Sequence, residues 1–380
     1  MKLAMLTSGR FWLVDLAREL HARGHEVKVY SLVPSWITRK FGLPAECNRW
    51  LGPYVAPLYA ATRAARGGVA RRVADRALRE GLDYAVSKII EPCDAFMGMS
   101  GMSLFTIEAL HKRGVRRTFL ERGSRHIVSQ REIMSEISVR AGNGPNGEVP
   151  SDMVYRELAE YELADTVTVP SRQAEESFVE RGFPARKLFR NPFGVKLEDF
   201  QATLAPPPNP RTLVMCGTFG RRKGADVLLE AVSGMKNVRL MHLGSGGDVP
   251  APREPWFEGV GVVPQQELRR HYSRAHVAVL ASREEGLALV QPQQLACGLP
   301  LVCTDRTGGV DLRPYLRDPN SITEVKSDDV SALRAALESA LDRATATTGL
   351  RDLIQEEQRE ELSWRGYARR YEQRLVENTA

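Results

Sequence analysis

The sequence predicts an α/β protein made of two doubly wound, Rossmann-like domains facing a central cleft, and three observations predict it. Strand-like and helix-like segments alternate from the first residues, a proline-rich break interrupts them near mid-chain, and the alternation then restarts. At 380 residues the chain is also longer than one hydrophobic core comfortably serves, so two domains are expected.

The elements follow in order. Lys2–Thr7 reads as a strand, Ser8-Gly9-Arg10 as a turn, and Phe11 to Ala22 as a helix with Leu13, Leu16, Ala17 and Leu20 on one face. Gly24 closes that helix, and Val27 to Val33 is the next strand. This βαβ opening requires a parallel sheet, because a helical crossover returns the chain in the same direction. Asp94–Ser100, Arg117–Glu121 and Thr166–Pro170 supply further short strands. In Leu204-Ala-Pro-Pro-Pro-Asn-Pro210, four prolines in five residues forbid both a helix interior and a central strand. Beyond it come a strand at Thr212–Cys216, a loop at Gly217–Gly224, a helix at Ala225–Gly234, a strand at Val238–Leu243 and the glycine turn Gly244-Ser-Gly-Gly247. Ala275–Ala281 has the β-branched content of a buried strand, and Ala288–Cys297 reads as a helix stopped at Gly298 and Pro300.

Composition narrows the class. With 43% hydrophobic and 26% charged residues the chain is globular. No apolar run approaches the roughly 18 residues needed to span a bilayer, and the apolar start is a strand rather than a signal peptide, so a cytoplasmic location is expected. Five scattered cysteines without CxxC or His/Cys spacing read as reduced thiols, and no metal site is expected. Residues 1–200 carry 30 Lys and Arg against 24 Asp and Glu, while residues 201–380 carry 23 of each, so the net +6 belongs to the first half. Its densest stretch, Arg63 to Arg79, alternates arginine with Ala, Val and Leu and suits either an anionic membrane surface or a solvated helix face. Gly67-Gly68 interrupts it.

Two segments carry chemistry. Ser282-Arg-Glu-Glu-Gly-Leu-Ala-Leu289 places an acidic pair and a glycine between a buried strand and a helix. Gly286, Leu287, Ala288 and Leu289 would then supply unpaired N–H groups at a helix N-terminus, with Glu285 at the lip of the pocket. Gly217-Thr-Phe-Gly-Arg-Arg-Lys-Gly224 joins a strand to a helix, and Arg221, Arg222 and Lys223 there suit a diphosphate. Its spacing fits neither a P-loop nor a dinucleotide fingerprint.

The order of Gly217…Arg-Lys-Gly224, Gly261-Val-Val-Pro-Gln-Gln-Glu-Leu268 and Glu285-Gly…Ala296-Cys-Gly-Leu-Pro300 resembles the donor half of a GT-B glycosyltransferase of family 4, the retaining class. The opening βαβ, the segments Glu162–Ser171 and Asn191–Val195, and Ser363-Trp-Arg-Gly-Tyr-Ala368 are similar to that family's first domain, interdomain stretch and closing helix. The resemblance implies an acceptor domain over residues 1–204, a donor domain over 205–362, and a last helix, 363–380, crossing back.

It also implies a reaction: sugar transfer from a UDP- or GDP-sugar to an acceptor hydroxyl with retention, without a cofactor or an obligatory metal. Lys223 matches the family's phosphate-binding lysine. Thr218 stands where the family often has arginine, so Arg221 or Arg222 must substitute. Glu285 matches the first glutamate of the E-x7-E motif, the holder of the transferred sugar, while Gln293 replaces the second, whose usual partner is the donor ribose. An amide still donates to and accepts from hydroxyls. Gly217, Gly244 and residues 286–289 would complete the donor pocket. In Glu121-Arg-Gly-Ser-Arg-His126, His126 matches a histidine beside the transferred sugar and is expected to open on the cleft. Ser8, Gly9 and Arg10 should border the acceptor.

The basic first half suits a glycan or lipid-linked acceptor in surface polysaccharide or glycolipid assembly and a peripheral position at the inner face of the membrane, with natural-product and soluble acceptors also open; no nucleic-acid partner is expected. Two rival classes stay open: another GT-B enzyme, such as a sugar-nucleotide epimerase or a phosphorylase, and a non-catalytic relative that binds nucleotide or partners only.

Overall fold

Two parallel sheets form the framework. The computed structural model describes residues 1–9, 12–65, 67–142 and 149–377. In the first sheet, β1 (Lys2–Thr7), β2 (Glu26–Ser31), β3 (Asn48–Trp50), β4 (Ala95–Met99), β5 (Thr118–Glu121), β6 (Thr166–Val169) and β7 (Leu188–Arg190) lie in the order β3-β2-β1-β4-β5-β6-β7. A short β8 (Thr203–Leu204) follows. The second sheet contains β9 (Arg211–Cys216), β10 (Val238–Leu243), β11 (Phe257–Gly261), β12 (Val277–Leu280), β13 (Leu301–Thr304) and β14 (Ile322–Val325), ordered β11-β10-β9-β12-β13-β14. β15 (Leu350–Arg351) pairs antiparallel with β8.

Both sheets reverse their strand order once, between β1 and β4 and between β9 and β12. At such a switch point the helices on either side diverge and leave a crevice beyond the C-terminal strand ends. The central strands are apolar runs, because both faces are covered: Leu213, Val214 and Met215 in β9 and Val277 to Leu280 in β12 are all buried.

The last helix, Trp364–Glu377, crosses back to the first domain. It packs on the helix Trp12–Ala22. Tyr367 and Tyr371 donate their hydroxyls to the buried carboxylate of Glu121, Arg23 and His25 hold Glu372, and Arg370 Nε donates to Asn191 Oδ1 at 2.7 Å. One apolar cluster therefore runs from Leu3 and Trp12 through Phe193 and Tyr367 to Val214 and Leu280, joining the two domains.

Two expected elements differ. The helix read over Ala288–Cys297 is only Val290–Ala296. The basic segment is a hairpin, Gly52–Ala64 followed by Gly68–Ile89, because Gly67 and Gly68 turn the chain with φ of +65° and +57°. Arg66 lies outside the described residues. Among the described residues, no helix is long and apolar enough to cross a membrane.

Candidate functional site

The second switch point gathers the charged residues. β9 ends at Cys216, and the carbonyl of Gly217 is held by His242 Nε2 at 2.8 Å. The chain then makes a single tight turn, Arg221–Lys223, and enters the helix Ala225–Val232 through Gly224 at φ +67°. A Cβ at Gly224 would lie 1.9 Å from the carbonyl oxygen of Ala281, so only glycine lets the turn sit against the end of β12. Arg283 N–H donates to the Arg222 carbonyl at 2.9 Å and ties the basic turn to the acidic pair.

There the cations and carboxylates are matched. Lys223 Nζ pairs with Glu285 Oε1. Arg222 lays Nε and Nη2 on Glu284 Oε2 at 2.9 and 2.8 Å. Arg222 is 42% exposed whereas Glu284 is fully buried, so the pair leaves part of the arginine side chain open to solvent. Burial, and secondly the neighbouring Arg222, push the Lys223 ammonium down to about 8. Burial alone would raise the Glu284 carboxyl, but Arg222, Ser124 and Gln130 outweigh it and hold the group below the usual glutamate range. Arg221 is turned aside: its N–H donates to Asp248 Oδ1 at 2.9 Å and its guanidinium pairs with Asp226 at 3.3 Å. It is Arg222, not Arg221, that stands beside Lys223.

The first domain completes the cluster. Ser124 Oγ donates to Glu284, and Gln130 Nε2 donates to it at 3.2 Å. Ser171 Oγ donates to the Gly286 carbonyl at 2.8 Å, and Gln173 Nε2 reaches the Glu285 carbonyl at 3.0 Å. A Cβ on Gly286 would fall 2.3 Å from the Gly123 carbonyl oxygen, which shows how closely the domains meet.

Residues 210–343, which contain this turn and this acidic pair, match the family described as Glycosyl transferases group 1. The match lies wholly within the second domain. A putative teichuronic acid biosynthesis glycosyltransferase of Bacillus subtilis is 28% identical over 155 residues, 38% of this chain and 39% of its own. A D-inositol 3-phosphate glycosyltransferase of Geodermatophilus obscurus is 32% identical over 152 residues, 34% of this chain and 33% of its own. The chain thus matches well under half the length of these curated relatives. Whole-chain likeness is structural. Sucrose-phosphate synthase of Thermosynechococcus elongatus superposes with a TM-score of 0.70 at 18% identity, covering 100% of both chains. Anabaena HepE in complex with UDP and glucose gives 0.64 at 12% identity over 99% of this chain and 100% of its own. These likenesses carry the fold: two Rossmann-like domains in the GT-B arrangement.

Within the second domain, Gly217 and Gly244 are in contact, since a Cβ on Gly244 would lie 2.0 Å from the Gly217 carbonyl oxygen. Thr218 is exposed beside them and takes a hydrogen bond from Ser245 Oγ at 3.3 Å. The expectation of free N–H groups over 286–289 is corrected at Ala288. Ala288 N–H donates to Gln291 Oε1 at 3.2 Å, Leu287 and Ala288 are buried, Leu289 packs on the core, and the Gly286 carbonyl is taken by the first domain. Gln293 Oε1 is buried and accepts no hydrogen bond among the described residues.

His126 also needs correction. It caps the helix Ile127–Arg140, with Nδ1 accepting from Val128 N–H at 3.3 Å, and its ring packs on Tyr161 and Phe178 with only 5% of the residue exposed. Burial, then Arg122, lowers its pKa to about 4, so it is a neutral, buried cap rather than a group open to the cleft. Ser8 and Gly9 sit half-buried at the end of β1, where Thr7 Oγ1 donates to the Gly9 carbonyl at 3.0 Å; Arg10 lies outside the described residues. Glu284, Ser124, Gln130, Ser171 and Gln173 were not legible as site residues. The signals were an acid next to Glu285 and a serine within the 121–126 segment, but nothing in the sequence pairs them. A groove of about 1000 Å³ runs along the proline-rich linker and holds none of the expected residues.

Proposed function

We propose that the chain is a retaining glycosyltransferase that moves a sugar from a UDP- or GDP-sugar to an acceptor hydroxyl. The observation that carries this reading is Lys223, Arg222 and Glu285 brought together at the switch point of a group 1 domain. In glycosyl transfer the leaving diphosphate gains negative charge, and fixed cations in a poorly hydrated cleft stabilise that charge most where it develops. Lys223 and the open edge of Arg222 supply them, which is the neutralising role a divalent cation plays elsewhere. Glu285, released from Lys223 by the incoming diphosphate, holds hydroxyls of the transferred sugar, and Gln293 takes the ribose. The complex of the structural neighbour HepE with UDP and glucose supports a nucleotide-sugar donor. Incubation with radiolabelled UDP- and GDP-sugars and a panel of lipid-linked acceptors, with and without EDTA, tests the reading. Transfer that persists in EDTA is expected; epimerised donor, or binding without turnover, would replace the proposal with one of its rivals.

The acceptor side is proposed to face an anionic membrane, with the product entering surface polysaccharide or glycolipid assembly, as the name of the teichuronic acid relative suggests. The hairpin tip supports this. Tyr59, Val69 and Val73 are 47%, 66% and 61% exposed, and Arg63 and Arg72 are exposed cations without a partner among the described residues. Apolar side chains ringed by arginine suit insertion at a lipid headgroup layer. This placement puts the enzyme at the cytoplasmic leaflet.

A further inference from the structure

We propose that Glu284 is a positioning residue: it aims Arg222 at the leaving diphosphate, and it does so only while the two domains are closed on each other. The inference rests on the glycosyltransfer reading above. Glu284 touches no open space itself, since its side chain is fully buried. One of its oxygens receives both Nε–H and Nη2–H of Arg222, at 2.9 and 2.8 Å. A guanidinium has five N–H donors in a rigid plane, so fixing one edge fixes the direction of the other. The edge left over belongs to a side chain 42% exposed, beside Lys223.

The carboxylate that sets this direction is itself set from the other domain. Ser124, in the turn after β5, donates its hydroxyl to Oε1, and Gln130, on the helix Ile127–Arg140, donates its amide to Oε2 at 3.2 Å. Gln130 is held in turn by Arg122, whose Nη2 donates to Gln130 Oε1 at 2.7 Å. Separation of the domains removes both donors at once and opens the carboxylate to water, leaving its direction set by Arg222 alone. A solvated carboxylate no longer holds one orientation, and the guanidinium bonded to it loses its fixed direction as well. Closure thus fixes Arg222 in the direction of the diphosphate, through two hydrogen bonds that Glu285 does not share.

A positioning residue that acts on charge appearing in the transition state lowers turnover more than ground-state binding when removed. The test uses Glu284→Gln, Arg222→Ala, the double variant, Ser124→Ala and Gln130→Ala, with kcat for the accepted nucleotide sugar and calorimetric Kd for UDP and GDP. Glu284→Gln is expected to lower kcat about tenfold with Kd changed less than about threefold. It should add nothing further in the Arg222→Ala background, the signature of two residues acting as one unit. Ser124→Ala and Gln130→Ala should lower kcat several-fold and likewise be silent without Arg222; they carry the test if Glu284→Gln does not fold. Losses that multiply in the double variants, or a fall in kcat matched by equal loss of UDP or GDP affinity, overturn the role of Glu284. A wild-type protein that binds neither UDP nor GDP overturns the glycosyltransfer reading instead.

Discussion

The molecule contains two clusters of arginine and buried carboxylate that use the same groups to opposite ends. In the first domain, Asp83 accepts N–H bonds from Phe105 and Thr106 at 2.8 and 2.9 Å and pairs with Arg156, whose Nε donates to the Gly101 carbonyl at 2.9 Å. Glu160 receives Ser103 N–H at 2.8 Å, and burial raises its carboxyl to about 8. Arg156 is 6% exposed, so its charge is spent on stapling three helices around a loop. In the second domain Arg222 meets Glu284 in comparable geometry but remains 42% exposed. Ion pairing alone therefore does not mark a site; the edge left free for a ligand does.

Five experiments break or sharpen that contrast. The largest effect is expected at the staple: Arg156→Ala should cost about 3–5 kcal/mol of stability, because it leaves Asp83 buried without its cation. Denaturant unfolding measures it, and a change below about 1 kcal/mol would show that the cluster is not structural.

Next comes Glu285→Ala, which should reduce transfer by about 10²–10³-fold, the scale of losing one directed polar contact in a transition state. UDP or GDP affinity should not fall, since Lys223 loses only a competitor. Lys223→Ala should do the reverse, weakening UDP or GDP far more than uridine or guanosine; equal losses on both would show that the lysine does not reach phosphate.

A smaller, graded effect is expected with pH. Lys223 is lowered to about 8, so its proton is present below that pH and lost above it. Affinity for UDP or GDP should accordingly hold up to about pH 8 and then decline by at most about tenfold per unit. The groups around the ammonium are Glu285, Arg222, Glu284 and Cys216. Lys223→Arg should abolish the break, and a break that survives it belongs to another group.

The smallest change is expected at the hairpin tip. Val73→Asp should leave transfer to a soluble acceptor unaltered and weaken sedimentation with phosphatidylglycerol vesicles several-fold, by removing apolar contact and adding repulsion. Indifference to lipid charge and salt would retire the membrane placement.

Much of this was legible in the residues. Strand runs such as Val277–Leu280 and the break at Pro206–Pro210 set the two doubly wound halves, and the resemblance of their segments to the donor half of family 4 singled out Lys223 and Glu285. His126 was misread because its exposure depends on Tyr161 and Phe178, which lie 35 and 52 positions further along the chain. Of the amides expected over 286–289, that of Ala288 is taken for a local reason: Gln291 folds back on it.

By itself, then, the sequence determined the period-two and period-3.6 segments, the glycines that permit the turn at Gly224, and the cations and acids available at the end of β9. These depend on backbone sterics and on neighbours a few residues away. Only the tertiary structure decided which charge meets which: Arg222 rather than Arg221 beside Lys223, and Glu284 shared with Ser124 and Gln130. Those pairings span about 60 to 160 positions and are chosen by the desolvation of whole surfaces when the domains pack, a quantity that no local pattern encodes.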